Sequence, residues 1–488
     1  MDKEGIVANN HTSAMEMEEF LPKDGSDMKD NAYTGKYKVT VAPAAPKDVE
    51  ASEPLSPDGR LPPWDPLTDR KIAGATSDCD TLTHLLKAAL GTGILAMPIG
   101  FKNAGLSMGV LGTVLAAVVC THCAYILVKC AHELYVRTRV SAMSFPDVGE
   151  VAFANGPEWA KKFSRTARVT IIIGLFATYF GTCSVYTVIV ANNIQQVVEH
   201  HTNSTIDQRW YIAGTLPPLL LLGFVPNLKW LAPISMIANL FMGAGLGITV
   251  YYLVQDLPSI WDRVHFGHPY GLPQFFSIVI FAMEAVGVVM PLENNMKTPR
   301  HFLGLCGVLN QGMTAICLIY TLIGFLGYLK YGDDTKGSIT LNLPVEEIAA
   351  QSVKILIALG VYCTYGLQFV VPLEVSLNAV KDKFPNRPVL VSYTVRTILV
   401  IASVVLAVAV PTIGPFISLI GSLCFSLLGL IIPAFIEVIT YWDNGLGPFR
   451  WRLWKNVLVS VFGLMALVFG TYTSLEEIIE LYTSTEKL

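Results

Sequence analysis

The chain has 488 residues, 52% hydrophobic and only 15% charged, with a mean hydropathy of +0.49. Soluble globular proteins carry charge on about a quarter of their residues, so this balance excludes an ordinary soluble enzyme and points to one large membrane domain. The net charge of −4 offers no basic excess for nucleic acid, and none of the nine cysteines lies in a long loop, so no disulfide framework is expected.

Residues 1–75 are polar and lack periodic apolar faces; they read as a disordered tail with no signal peptide at its start. A transmembrane domain is expected over 76–480. It opens with TLTHLLKAALGTGILAMPIGFKNA, residues 81–104, long and apolar enough to cross a bilayer. Its middle is interrupted by Gly91, Thr92 and Gly93, with Pro98 one turn later. Such residues break a helix into halves whose bare ends can bind something small. The alternative is that the glycines only let a neighbouring helix approach closely.

Ten further apolar segments follow, at 105–130, 167–196, 210–226, 232–255, 274–291, 303–329, 348–378, 392–411, 414–439 and 455–475. Lys and Arg gather in alternate loops, as in Arg137, Arg139, Lys161, Lys162, Arg165 and Arg168, then Lys297 and Arg300, then Lys381 and Lys383. That bias places the N-terminus in the cytosol and, with eleven spans, the C-terminus outside or in a lumen. Asn203-Ser204-Thr205 then lies outside, as a glycosylation site at Asn203.

Residues 274–291 are the partner of the opening stretch. Glu284, Ala285, Val286 and Gly287 sit at their centre and Pro291 follows. Spans one and six are the first members of two five-span halves, repeat one at 81–255 and repeat two at 274–439, with 455–475 as an extra helix. Two interrupted segments in matching places point to a carrier site built from inverted repeats.

Glu284 is a carboxylate near the middle of a span, a position that costs roughly 2.5–3.5 kcal/mol and argues for a functional role. His84 shares a helix with the break, and histidine is the residue type suited to sensing protons. Glu374 is a second proton-site candidate, with an interfacial position as its alternative. Glu293 is expected at the cytosolic mouth, solvated or forming a gate, and Glu437 at the interface. His265 and His268 read as solvated loop residues. No phosphate loop, zinc-spaced cluster or nucleophile elbow stands out, which argues against an ATP-driven pump or a hydrolase. No cofactor or metal is called for.

The segments THLLKAALGTGILAMPIGFKNAG, ILVKCAHEL, FAMEAVGVVMPLENNMKTPR, GYLKYG, GSITLNLP and YGLQFVVPLEV closely resemble, in order, the proton-coupled amino acid transporters, the PAT family of the amino acid/auxin permease group. The resemblance covers residues 80 to 475. It implies an all-α membrane protein of eleven spans, with the five-plus-five core of the leucine-transporter fold and broken helices one and six. It implies symport of a proton with a small neutral amino acid such as glycine, alanine or proline. It places the substrate carboxylate at Gly91, Thr92 and Gly93, with Phe281 and Glu284 bordering the rest of the substrate, and proton coupling at His84. Ile94 and Gly287 complete the expected substrate site, and Glu284 and Glu374 stay as proton candidates from their positions. Relatives act at the plasma membrane or at the late endosome and lysosome, and some feed growth signalling. Two alternatives stay open: a low-capacity sensor that signals to nutrient-pathway partners through the cytosolic tail, and sodium coupling on the same fold. The expected partners are the amino acid substrate, the proton and membrane lipid, with nutrient-signalling partners reached through the cytosolic tail and no nucleic acid.

Overall fold

A bilayer core offers nothing to satisfy a bare backbone, so long apolar runs fold as helices. The computed structural model describes residues 65–67, 70, 75–225, 228–283, 285–380, 384, 387–443 and 445–485. The chain enters the bundle through α1 (Asp78–Ala89), α2 (Gly93–Ala104) and α3 (Leu106–Thr138). Two short helices, α4 (Phe145–Ala154) and α5 (Glu158–Lys161), lead to α6 (Ser164–Thr202), α7 (Gln208–Gly214), α8 (Leu216–Gly223) and α9 (Leu228–Leu253). Then come α10 (Leu272–Met283), α11 (Val286–Asn294), α12 (Val308–Tyr331), α13 (Ile348–Val380) and α14 (Pro388–Ala409). The chain finishes with α15 (Ile413–Ile420), a π-helical stretch over Gly421–Ile431, α16 (Ile432–Thr440) and α17 (Trp451–Thr485). No strand occurs among the described residues, only an isolated bridge between Thr76 and Met296.

All eleven expected spans are helical. Among the described residues nine helices are long and apolar enough to cross a membrane, or ten with α1 and α2 counted as one span bent by 58°. The remaining one, expected at 210–226, is the pair α7 and α8, which meet at Thr215 before Pro217 and Pro218. Proline fits the first turn of a helix and cannot continue a preceding one.

Two readings are corrected. Of the expected disordered tail, 1–75, only residues 65–67, 70 and 75 are among the described residues. Pro66 is buried, Leu67 packs on the core, and the Arg70 side chain is only 3% exposed. Arg70 is drawn in by backbone carbonyls it can bond. Glu437 is not interfacial: it is 4% exposed and accepts from Lys455 Nζ at 2.5 Å and Asn456 Nδ2 at 2.7 Å, pinning α16 to α17. His265 is not left to solvent either, since its Nδ1 lies 2.8 Å from Ser107 Oγ.

Close helix contacts rest on glycine. Phe101 of α2 slots between α3 and α12, where a Cβ on Gly109 or Gly324 would come within 2.5 Å of its ring. A Cβ on Gly421 would meet the Ser277 carbonyl at 2.1 Å, a backbone atom that cannot swing aside. Gly243 on α9 has nothing within 4 Å of an added Cβ. Overpacking typically costs about 1–3 kcal/mol. Gly421→Ala is therefore expected to lower the unfolding temperature in detergent by several degrees, whereas Gly243→Ala leaves it unchanged or slightly raised; a thermal melt of both variants checks this.

Candidate functional site

The run Ala88–Ala96 folds as two half-helices because Gly91 leaves the α pattern. Leu90 ends α1 with φ −72° and ψ 58°, and the Gly91 amide turns back to the Ala89 carbonyl at 2.7 Å. That carbonyl also accepts from the buried Tyr320 hydroxyl of α12. The helix restarts at Gly93, with Thr92 as its N-cap but no side-chain cap bond. Among the described residues the Thr92 and Gly93 amides have no hydrogen-bond acceptor. The Thr92 hydroxyl is buried beside the Tyr186 phenol of α6 without reaching hydrogen-bond geometry. Tyr186 OH in turn accepts from Gln368 Nε2 of α13 at 3.5 Å.

The second break lies between α10 and α11, where Ala285 has φ −124° and ψ −3°. Glu284, the strongest sequence candidate, lies outside the described residues. The two breaks touch. A Cβ on Gly93 would stand 2.7 Å from the Ala282 Cα, so the start of α2 abuts the end of α10. Gly287 is equally crowded, with the Tyr179 hydroxyl 2.5 Å from an added Cβ. Gly91 has room: its nearest neighbour would be Tyr186 OH at 3.7 Å. The two sequence alternatives therefore divide between residues. Gly93 serves close approach, while Gly91 serves the break. Ile94 is buried at 1%, and Phe281 packs edge-on against Phe425 with ring centroids 5.4 Å apart.

The structure thus brings the run Gly91, Thr92, Gly93 and Ile94 against Ala282, the residue after Phe281, whereas Gly287 packs on Tyr179. It does not bring His84 or Glu374 to them. His84 sits half-buried six residues before Leu90 on α1, about 9 Å along the axis. Glu374 lies six residues past Gln368 on α13, a similar distance away. One Glu374 carboxylate oxygen is buried with no hydrogen-bond partner among the described residues. Tyr186, Tyr320, Gln368 and Tyr179 were missed from sequence. A tyrosine in an apolar span reads equally well as core, so no local signal marks it.

The two ends of the bundle differ. At the end where α2 stops, a cavity of about 820 Å³ is bounded by Lys102 and Asn103 of α2, Gln274 of α10, Gly414 of α15, and Glu477 and Glu480 of α17. At the end where α1 begins, Glu293 is fully buried, which corrects the solvated reading and leaves the gate reading.

A family model described as transmembrane amino acid transporter protein matches residues 74–476. The proton-coupled amino acid transporter-like protein pathetic of Drosophila melanogaster is 54% identical over 483 residues, which cover 99% of each chain. Amino acid transporter AVT3C of Arabidopsis thaliana is 27% identical over 474 residues, covering 92% of this chain and 98% of its own. Among solved structures, a closed conformation of Mhp1, a nucleobase-cation-symport-1 family transporter with bromovinylhydantoin bound, aligns at a TM-score of 0.48 and 14% identity, over 83% of this chain and 93% of that one.

Removing the Tyr320 hydroxyl withdraws a donor from the carbonyl end of α1 at a depth where water is scarce. Tyr320→Phe is expected to cost about 1–3 kcal/mol and to loosen the break. Thermal unfolding in detergent should show the loss, and Tyr331→Phe, at a partly buried position away from the break, should not.

Proposed function

The chain belongs to the family of transmembrane amino acid transporters, and on that premise we propose that it is a proton-coupled symporter of small neutral amino acids working by alternating access. One observation carries the reading. The Thr92 and Gly93 amides open a helix of twelve residues, next to an unpartnered hydroxyl and against the end of a second half-helix. The positive end of a helix dipole favours an anion, and bare amides satisfy carboxylate oxygens. A zwitterion placing its carboxylate there would turn its ammonium toward the carbonyl end of α10. Packing by Ile94, Phe281 and Phe425 favours a short side chain such as that of glycine, alanine or proline.

His84, Glu284 and Glu374 are the groups proposed to carry the proton. Since His84 and Glu374 stand off from the breaks, a proton on either acts by biasing one state of the carrier rather than by touching substrate. About 60 mV supplies ~1.4 kcal/mol per charge, and one pH unit another ~1.4 kcal/mol. At one proton per substrate that supports roughly 100-fold accumulation. The reading includes two inverted five-span halves, 81–255 and 274–439, followed by the extra helix 455–475. It also includes a cytosolic N-terminus, and residence at the plasma membrane, the late endosome–lysosome, or both. Asn203, exposed at the end of α6, is then the glycosylated residue.

Uptake of labelled amino acids into proteoliposomes tests the reading. Glycine, alanine or proline should accumulate when the donor side is acidified, and replacing sodium by choline should change nothing. Uptake that follows sodium at fixed pH would overturn the proton assignment. His84→Ala should abolish the pH response while the protein still reaches its membrane; an unaltered response would remove His84 from the mechanism. Asn203→Gln should eliminate a glycosidase-sensitive gel shift in protein from cells, and persistence of the shift would reverse the orientation.

A further inference from the structure

The end of the bundle at which α1 begins is closed by a strap of chain. Asp65, Thr76 and Asp78 lie along the turn that follows α11, and Arg70 lies at the end of α11. Asp65 pairs with Arg300, and Thr76 exchanges backbone hydrogen bonds with Asn295 at 2.8 Å and Lys297 at 2.9 Å. Asp78 accepts from Thr298 Oγ1 at 2.5 Å and lies 2.7 Å from His301 Nδ1. These contacts join α1 to α11, the two half-helices on this side of the breaks, into one unit.

That unit meets α3 at a buried charge cluster. Glu293, near the end of α11, is fully buried. Its Oε1 lies 2.9 Å from His132 Nε2 and its Oε2 3.0 Å from Tyr135 OH, both on α3. Arg70 comes from the strap. Its Nη1 donates to the carbonyls of Glu293 at 3.1 Å and Asn294 at 3.2 Å, and its Nη2 to Glu293 Oε1 at 3.4 Å. The guanidinium also stands 5.4 Å from the Tyr135 ring centroid. Asn294 adds a contact to the Met143 carbonyl at 2.9 Å beyond α3. A cation at a helix C-terminus satisfies its last carbonyls and its dipole at once. A buried carboxylate deprived of its cation is strongly disfavoured.

We infer that Arg70 is the bolt of a gate at this end: inserted between α11 and α3 against Glu293, it holds the joined half-helices α1 and α11 shut, and its withdrawal opens the path from the breaks. His132 and Tyr135 make that withdrawal feasible. They leave Glu293 two hydrogen-bond donors when the guanidinium departs. The polar strap leaves the bilayer edge with Arg70, so the charge moves into water and not into lipid. The inference rests on the alternating-access reading for its purpose, but its geometry stands apart from the choice of substrate or coupling ion.

Val289 tests it. Val289 is fully buried on α11, one turn from Glu293 on the same face. In a full-length chain with the exposed Cys79 and Cys306 replaced by serine, Val289→Cys is probed with a membrane-impermeant maleimide from the side bearing the N-terminus. Labelling should be slow with Arg70 present. Arg70→Ala should speed it about tenfold or more, as expected for a gate whose closed state loses its main restraint. Arg70→Lys should fall between, because a lysine keeps charge but not the forked donor set. Glu293→Gln, which keeps the side-chain shape, should also speed labelling, and it decides the matter alone if Arg70→Ala does not reach the membrane. Unchanged labelling in the folded Arg70→Ala and Glu293→Gln chains would overturn the inference. The readout needs no substrate. A chain that labels as expected but fails proton-driven uptake keeps the bolt and loses the proposed coupling, whereas a chain that transports with unchanged labelling does the reverse.

Discussion

A helix that stops halfway through a bilayer must find partners for the backbone groups it abandons, because the surrounding hydrocarbon supplies none. The first break meets this demand unevenly. On the carbonyl side, Ala89 accepts from the Gly91 amide and from the Tyr320 hydroxyl. On the amide side, Thr92 and Gly93 have no acceptor among the described residues, and the Thr92 hydroxyl beside them is equally unanswered. The Ala89 carbonyl is thus answered by the protein twice over, and the two amides belong to a helix start that favours negative charge.

Much of this architecture is legible in the sequence for one reason: the bilayer imposes a length and a composition on every span. All eleven apolar segments are helical, and both interrupted spans are interrupted where Gly91–Gly93 and Glu284–Gly287 suggest. What was not legible depends on partners far away in the chain. Glu293 reads as a mouth residue from its own stretch of chain, where Lys297 and Arg300 follow; Arg70, the cation that meets it, is 223 positions earlier. Glu437 is buried for the same kind of reason, through Lys455 and Asn456 on the next helix. Tyr186 and Tyr320 belong to the site only because α6 and α12 pass the break, a matter of packing that a single helix face does not announce. Glycine was half legible. Crowding around Gly93 and space around Gly91 separate two roles that the letters GTG leave together.

The charge distribution at the two ends adds a direction to the site. The end near Lys102 holds a cavity of about 820 Å³ with Lys102, Glu477 and Glu480 at its edge. The opposite end is filled by Arg70, Glu293, His132 and Tyr135 in direct contact. Buried ion pairs are poor stabilisers compared with apolar packing, since desolvation offsets most of their attraction. Their value lies elsewhere: an ion pair that can exchange protein partners for water has two states of comparable free energy, and apolar packing does not. An end meant to stay shut would be better built from leucine.

Contact between the breaks then has a mechanical consequence. Because Gly93 lets α2 rest directly on Ala282, backbone from both interrupted spans meets at the breaks. On the other side of the breaks, contacts of Asp65, Thr76 and Asp78 tie the start of α1 to the turn after α11. Interfaces of packed helices tend to be bistable rather than continuously deformable. On the proposed reading, a carboxylate arriving at the two amides acts on this joined pair, which meets α3 through Arg70 and Glu293, so that occupancy of the site and closure of the far contact are two ends of one lever.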